Sequence, residues 1–154
     1  SMVLGLNDAL VELTGTLAGL SFALQNNKLV ALSGLITGIS ATLSMASSEY
    51  LSARSEGKPN ALKSSLYTGI MYIFAVILLV FPYLLLPSEK FVHALIIMLV
   101  IVVAVIFAFT YYISVAKDLP FKKRFVEMAG ISLSVAALSF IVGILVKQFL
   151  GIDI

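Results

Sequence analysis

Residues 91–115 have the sequence FVHALIIMLVIVVAVIFAFTYYISV, which contains no Asp, Glu, Lys or Arg. An α-helix crosses the roughly 30 Å of membrane hydrocarbon with about 20 mostly apolar residues. This stretch is therefore predicted to be a membrane-spanning helix. Four other segments of the chain are similarly long and apolar. The predicted spans cover residues 4–24, 29–53, 62–86, 91–115 and 125–149.

The composition of the 154-residue chain predicts the same class, an all-α polytopic membrane protein with one domain over residues 1–154. Hydrophobic residues make up 60% and charged residues 12%, whereas soluble domains average about 25% charged residues. The net charge of +2 is too small for a nucleic-acid-binding surface. The chain has no cysteine, which excludes thiolate metal sites. His93 is the one histidine, so a multi-histidine metal centre is excluded, and its position favours the membrane interface.

The basic residues predict the orientation of the five spans. Most of them fall in the second and fourth loops, and cytoplasmic loops of membrane proteins carry an excess of Lys and Arg. The residues on this side are Arg54, Lys58, Lys63, Lys117, Lys122, Lys123 and Arg124. We therefore expect a cytoplasmic N-terminus and an external C-terminus.

Two acidic residues lie inside the first span, where an ionisable group costs about 2.5–3.5 kcal/mol even on the most lenient insertion scale. Asp8 and Glu12 are four residues apart and share one helical face. The same face continues through Gly15 and Gly19. Small residues at this spacing let helix backbones approach closely in lipid, so the glycines are predicted to be packing residues.

The second span likewise has glycines and an acidic residue on one face of the predicted helix. Gly34, Gly38, Thr42, Met45 and Glu49 share one face of the helix. The short turn between the spans makes them antiparallel, so Asp8 is expected to be level with Met45. Glu12 is then about one turn deeper, and Glu49 about one turn nearer the cytoplasm.

Three carboxylates and a thioether at successive levels of two neighbouring helices, an arrangement that we call the ladder, are suited to bind a divalent cation. Carboxylate oxygens are typical ligands of hard cations, and a thioether favours softer ions such as Fe²⁺ or Co²⁺. We identify Asp8, Glu12, Met45 and Glu49 as candidate metal ligands. The alternative is that some of these acids are solvated or capping groups at the cytoplasmic interface, which applies most readily to Glu49 and to Glu127 in the fifth span.

Residues 5–15, GLNDALVELTG, resemble the first-helix motif of the vacuolar iron transporter family. Ser33-Gly34-Leu35 and residues 44–50, SMASSEY, resemble its second-helix motifs. Residues 82–85, PYLL, fit its third span. The resemblance implies a five-helix exporter of Fe²⁺, sometimes Mn²⁺, that exchanges metal for protons and has no resident cofactor. It also implies that Asp8 and Met45 line a pathway at the interface of a homodimer.

The chain departs from this family in two respects. Thr37 stands where some members have a glutamate, and only about ten residues join spans two and three, where many members insert a glutamate-rich metal-collecting domain. The short form is found in members with a ferritin-like or rubrerythrin-like domain before span one. A start at Ser1-Met2, directly ahead of the motif, is what excision of such a domain would leave.

The function predicted from these features is proton-coupled transport of Fe²⁺, or of Mn²⁺ or Co²⁺, out of the cytosol. Desolvation along a narrow path favours the protonated form of a carboxylic acid, so Glu12, with Asp8, is the expected proton-carrying group. We expect a two-fold homodimer with span one at its interface.

The membrane would be the plasma membrane in a prokaryote and a vacuolar-type membrane in a eukaryote. The alternative function is a non-transporting anchor and dimerisation module for a ferritin-like domain; an enzyme is not expected, because the spans offer no nucleophile or redox centre.

Overall fold

The computed structural model describes residues 2–151, with side chains from Ala9 onward. These residues form five α-helices and no strand, which confirms the predicted all-α class. Each helix begins and ends within about one turn of the predicted span. The helices are α1 (Met2–Leu24), α2 (Asn27–Ser55), α3 (Ala61–Leu85), α4 (Phe91–Lys117) and α5 (Phe121–Leu150).

Four of the helices, α2 to α5, are long and apolar enough to cross a membrane. The described apolar part of α1 is shorter and runs from Ala9 to Leu24. Large apolar side chains cover the outside of the helices, for example Ile70 on α3 and Val100 on α4, which are 60% and 62% exposed. Such a surface is suited to lipid rather than water. The chain is an integral, multi-pass membrane protein.

Helix α1 lies at the centre of the bundle and contacts each of the other four helices. Leu10, Leu13 and Leu17 on α1 are completely or almost completely buried. Hydrogen bonds between described side chains also join α1 to α3: Ser21 Oγ lies 2.7 Å from Tyr83 Oη near one end, and Tyr72 of α3 bonds Glu12 nearer the other. The side chains of α1 are therefore held by neighbouring helices over most of its length.

The turn between α1 and α2 is tied to the turn between α3 and α4. Asn26 caps α2 by accepting hydrogen bonds from the next turn of backbone. Asn27 is buried, and its Nδ2 donates to the carbonyl oxygens of Pro87 and Lys90 at 2.8 and 3.1 Å. Its backbone N–H donates to Ser88 O at 3.0 Å. These bonds fix the relative positions of two helix pairs at the end of the bundle opposite the basic loops.

The glycines of α2 allow close packing against α3 and α1. A Cβ added to Gly38 would lie 2.5 Å from Val76 Cγ1, and one added to Gly34 would lie 2.8 Å from Leu17 Cδ2 of α1. A methyl group at Gly38 would overlap the branched Val76 side chain, whereas one at Gly34 would require the end of the Leu17 side chain to move. The Leu17–Gly34 contact also agrees, within about half a turn, with the antiparallel register predicted for α1 and α2.

The glycines of α1 pack against α5 of the same chain. A Cβ on Gly15 would lie 2.9 Å from Ser139 Oγ, and one on Gly19 would lie 3.0 Å from Ser139 O. In return, a Cβ on Gly143 would lie 2.6 Å from Gly19 O. This part of the α1 surface is therefore covered within the single chain, and the glycines are not available to contact a second copy.

Candidate metal site

Glu12 lies about 15 Å along α1 from its first residue, well inside the bundle's length. Its side chain is exposed on the surface of the single chain. The buried Tyr72 of α3 donates its phenolic hydroxyl to Glu12 Oε2 at 3.3 Å. One carboxylate oxygen is thus held from inside the bundle, and the group remains accessible from outside it.

Glu49 lies near the other end of the predicted ladder, on α2. It is half-buried, and Ser64 of α3 donates to its Oε1 at 2.7 Å. Glu49 therefore has a hydrogen-bond partner in the first turn of α3.

Thr68 lies on α3 between these two contacts, one helical turn from Ser64 and one from Tyr72. It is 3% exposed, and its Oγ1 has no hydrogen-bond partner among the described residues. Because α2 and α3 are antiparallel, the Ser64–Glu49 contact places Thr68 at the level of Met45. Since α1 and α3 are parallel, the Tyr72–Glu12 contact places the backbone of residue 8 of α1 at the same level.

Met45 is partly buried and packs against the hydrophobic core of the chain. Thr42, one turn away, donates to Gly38 O of its own helix at 2.7 Å and so needs no other partner. The side chain of Asp8, the predicted neighbour of Met45, lies outside the described residues.

The two described carboxylates, Glu12 and Glu49, lie apart along the bundle rather than in a single cluster. Glu12 and Glu49 contact residues of α3 that are about 12 Å apart along the helix. Among side chains from residue 9 to residue 151, no three of His, Cys, Asp and Glu come together as a metal-binding group. A cation moving along this face would therefore meet the acids in succession.

The other polar candidates of the sequence lie away from this ladder. Glu127 lines a cavity between α4 and α5, and His93 is exposed in the first turn of α4. The connection from α2 to α3 contains one acid, Glu56, which forms an ion pair with Lys58 at 2.9 Å. The hydrogen bond and charge of Lys58 lower the pKa of Glu56 below its ordinary value. This connection offers no cluster of carboxylates to collect metal.

The hydroxyl groups of α3 were missed by sequence analysis. Ser64, Thr68 and Tyr72 repeat every four residues, so they share one face of the helix. That spacing was the available signal. The spacing alone did not indicate a role for these hydroxyl groups, because only the packing of α3 against α1 and α2 shows that this face lies beside the acids.

Taken together, the bundle is a helical membrane protein with acids and hydroxyl groups aligned along α1, α2 and α3. Residues 1–60, which contain α1 and α2, match the sequence profile of the VIT family. The match confirms the resemblance to the vacuolar iron transporters over these two helices and indicates a role in transport of metal ions across a membrane. A search of curated proteins found no significant match to the chain.

Proposed function

We propose that this protein exports a divalent metal, Fe²⁺ or Mn²⁺, from the cytosol in exchange for protons. The observation that carries the proposal is Glu12, a carboxylate deep in a membrane helix that a buried tyrosine orients. Placing an ionisable group at such a position has a high free-energy cost, and such groups typically mark ion pathways and proton relays. The match of α1 and α2 to a metal-transporter family supports the same conclusion.

Asp8, Glu12, Met45 and Glu49 are the proposed ligands of the transported ion. Carboxylates bind any of the candidate metals, and the Met45 sulfur favours Fe²⁺ and Co²⁺ over Mn²⁺. Thr68 adds a neutral oxygen at the level of Met45, where its hydroxyl lacks a partner in the described part of the chain. A cation would pass from Glu49 to the Asp8–Met45 level and then to Glu12.

A second copy of the chain completes the pathway. Glu12 is exposed on the single chain, and so are three hydroxyl-bearing residues of α2, Thr37, Ser40 and Ser44. Polar groups of this kind favour contact with another helix over contact with lipid. A two-fold dimer that brings together these faces of α1 and α2 would enclose both copies of Glu12. Its contact surface differs from the Gly15–Gly19 ridge, which α5 already covers.

Proton coupling follows from the chemistry of the ligands. A carboxylic acid must lose its proton before it can bind a metal ion, so metal binding releases protons. In the proposed cycle Glu12 is protonated when the pathway is empty and gives up its proton as the cation arrives. Release of the metal to a more acidic compartment returns the proton, with Asp8 as the second candidate carrier.

Metal flux into proteoliposomes tests the proposal. The purified chain should carry Fe²⁺ or Mn²⁺ into vesicles faster when the interior is acidic than when the two sides have equal pH. Asp8→Asn should abolish this flux without loss of folding, because the amide keeps the shape and removes the charge. A membrane anchor would give no flux in either condition and would tolerate the amide, and that result would contradict the proposal.

A further inference from the structure

A second polar site lies at the basic end of the bundle, where α4 ends and α5 begins. It is a cavity of about 380 Å³ that is partly open to the surface. Its polar lining includes Ser114 and Lys117 from α4 and Arg124 and Glu127 from α5. Apolar side chains line the rest, among them Met128 and Ile131. The transport pathway proposed above uses none of these residues.

The hydroxyl of Ser114 points to a missing ligand. Ser114 is 6% exposed, and its Oγ has no hydrogen-bond partner among the described residues. Buried polar groups nearly always have a partner, since leaving one unsatisfied costs about 1–3 kcal/mol. The Ser114 hydroxyl is therefore suited to donate to an acceptor in the cavity that residues 9–151 do not supply.

The charges lining the cavity indicate an anion. Within residues 9–151, neither Lys117 nor Arg124 has an acidic group within ion-pair distance. Glu127 lines the same cavity, so the formal charge of the lining is one positive unit. A phosphodiester has a single negative charge, which matches this balance, whereas a group with several phosphates would be repelled by Glu127.

We propose that this cavity binds the headgroup of an anionic bilayer phospholipid with one phosphodiester. The phosphate would accept hydrogen bonds from Ser114, Lys117 and Arg124, and the acyl chains would lie along Met128 and Ile131. The last turn of α4 and the first turns of α5 adjoin the apolar stretches of these two helices, where the headgroups of a surrounding bilayer are expected. Basic pockets between membrane helices are typical sites for anionic lipids. The apolar part of the lining favours a lipid over a phosphate ion from solution.

Native mass spectrometry of the full chain in detergent tests the site, with phosphatidylglycerol, phosphatidylcholine and inorganic phosphate as probes. The wild type should retain phosphatidylglycerol in preference to phosphatidylcholine. Lys117→Gln with Arg124→Gln should weaken this retention about thirtyfold. Lys122→Gln with Lys123→Gln is the matched control, since it removes the same charge from the first turn of α5 at residues that do not line the cavity. Equal losses in the two double variants would contradict the proposal.

Ser114→Ala provides a second test that does not change the charge. Without lipid, this variant should be at least as stable to heat as the wild type, because it removes an unsatisfied hydroxyl. Added phosphatidylglycerol should then raise the melting temperature of the wild type more than that of the variant. An equal rise in both proteins would contradict the assigned role of Ser114. Displacement of the lipid by an equal concentration of inorganic phosphate would show a site for soluble anions and would overturn the proposal.

Discussion

The phenolic hydroxyl of Tyr72 on α3 donates a hydrogen bond to Glu12 of α1, with an O···O distance of 3.3 Å. About two turns away on the same helix, Ser64 donates to Glu49 of α2. Helix α3 has no acid of its own, yet it contacts both described carboxylates of the proposed pathway. It holds the spacing between them, because the two donors are fixed on one rigid helix.

Replacement of Tyr72 by phenylalanine should slow transport without unfolding the protein. The ring would still fill its buried position, while Glu12 would lose a donor worth about 1 kcal/mol, or about fivefold in rate. The measurement is the initial rate of metal uptake in proteoliposomes. Tyr67→Phe is the control, because Tyr67 lies on the same helix and is 47% exposed. Equal rates for Tyr72→Phe and the wild type would exclude a positioning role for the hydroxyl.

The sulfur of Met45 should discriminate among metals. Met45→Leu keeps a similar volume and apolarity but removes the thioether, so uptake of Fe²⁺ and Co²⁺ should fall more than uptake of Mn²⁺. Met98→Leu is a matched control, since Met98 is fully buried on α4, a helix that carries none of the proposed ligands. Equal losses for the three metals in Met45→Leu would identify Met45 as a packing residue.

Gly38→Ala should destabilise the bundle by about 1–3 kcal/mol, because the new methyl group would overlap Val76. Thermal unfolding in detergent measures the effect. Gly130→Ala is the control, since nothing lies within 4 Å of a Cβ added there. Val76→Ala combined with Gly38→Ala should recover part of the loss. A fully stable Gly38→Ala protein would show that α2 and α3 do not pack as closely as described.

Cysteine cross-linking should reveal which face lies between two copies. The chain has no cysteine, so single cysteines can be introduced without a background. Thr16→Cys, one turn from Glu12 on α1, should form a disulfide between copies in the membrane. Val100→Cys, 62% exposed on α4, should not. Cross-links at Val100→Cys alone would rule out a dimer built on α1.

The length and polarity of the apolar segments were sufficient to predict five helices. Each segment is closed by polar or breaker residues, such as Asn26 and Asn27, which limit where a helix can begin. The register of α1 and α2 was also predictable, because a short turn leaves little freedom between them. The helix ends and the register of α1 and α2 both depend on residues that are close together in the sequence, and this is why they could be predicted from it.

Contacts between distant helices were less predictable. Sequence analysis placed Gly15 and Gly19 beside the acids on one face, but it did not show that α5 occupies that part of α1. Ser139 and Gly143 on α5 are also small residues four apart, and this spacing was the unused signal. Pairing two such ridges requires the three-dimensional order of the helices, which hydrophobicity alone does not specify.

Simultaneous recording of metal entry and internal pH in proteoliposomes tests the central claim most directly. With the wild type, entry of Mn²⁺ should be accompanied by loss of protons from an acidic interior. Glu12→Gln should bind metal through Asp8, Met45 and Glu49, but it should show neither proton movement nor uptake driven by the pH gradient. If Glu12→Gln moved metal and protons as the wild type does, the account of Glu12 as the proton-coupling group would be contradicted.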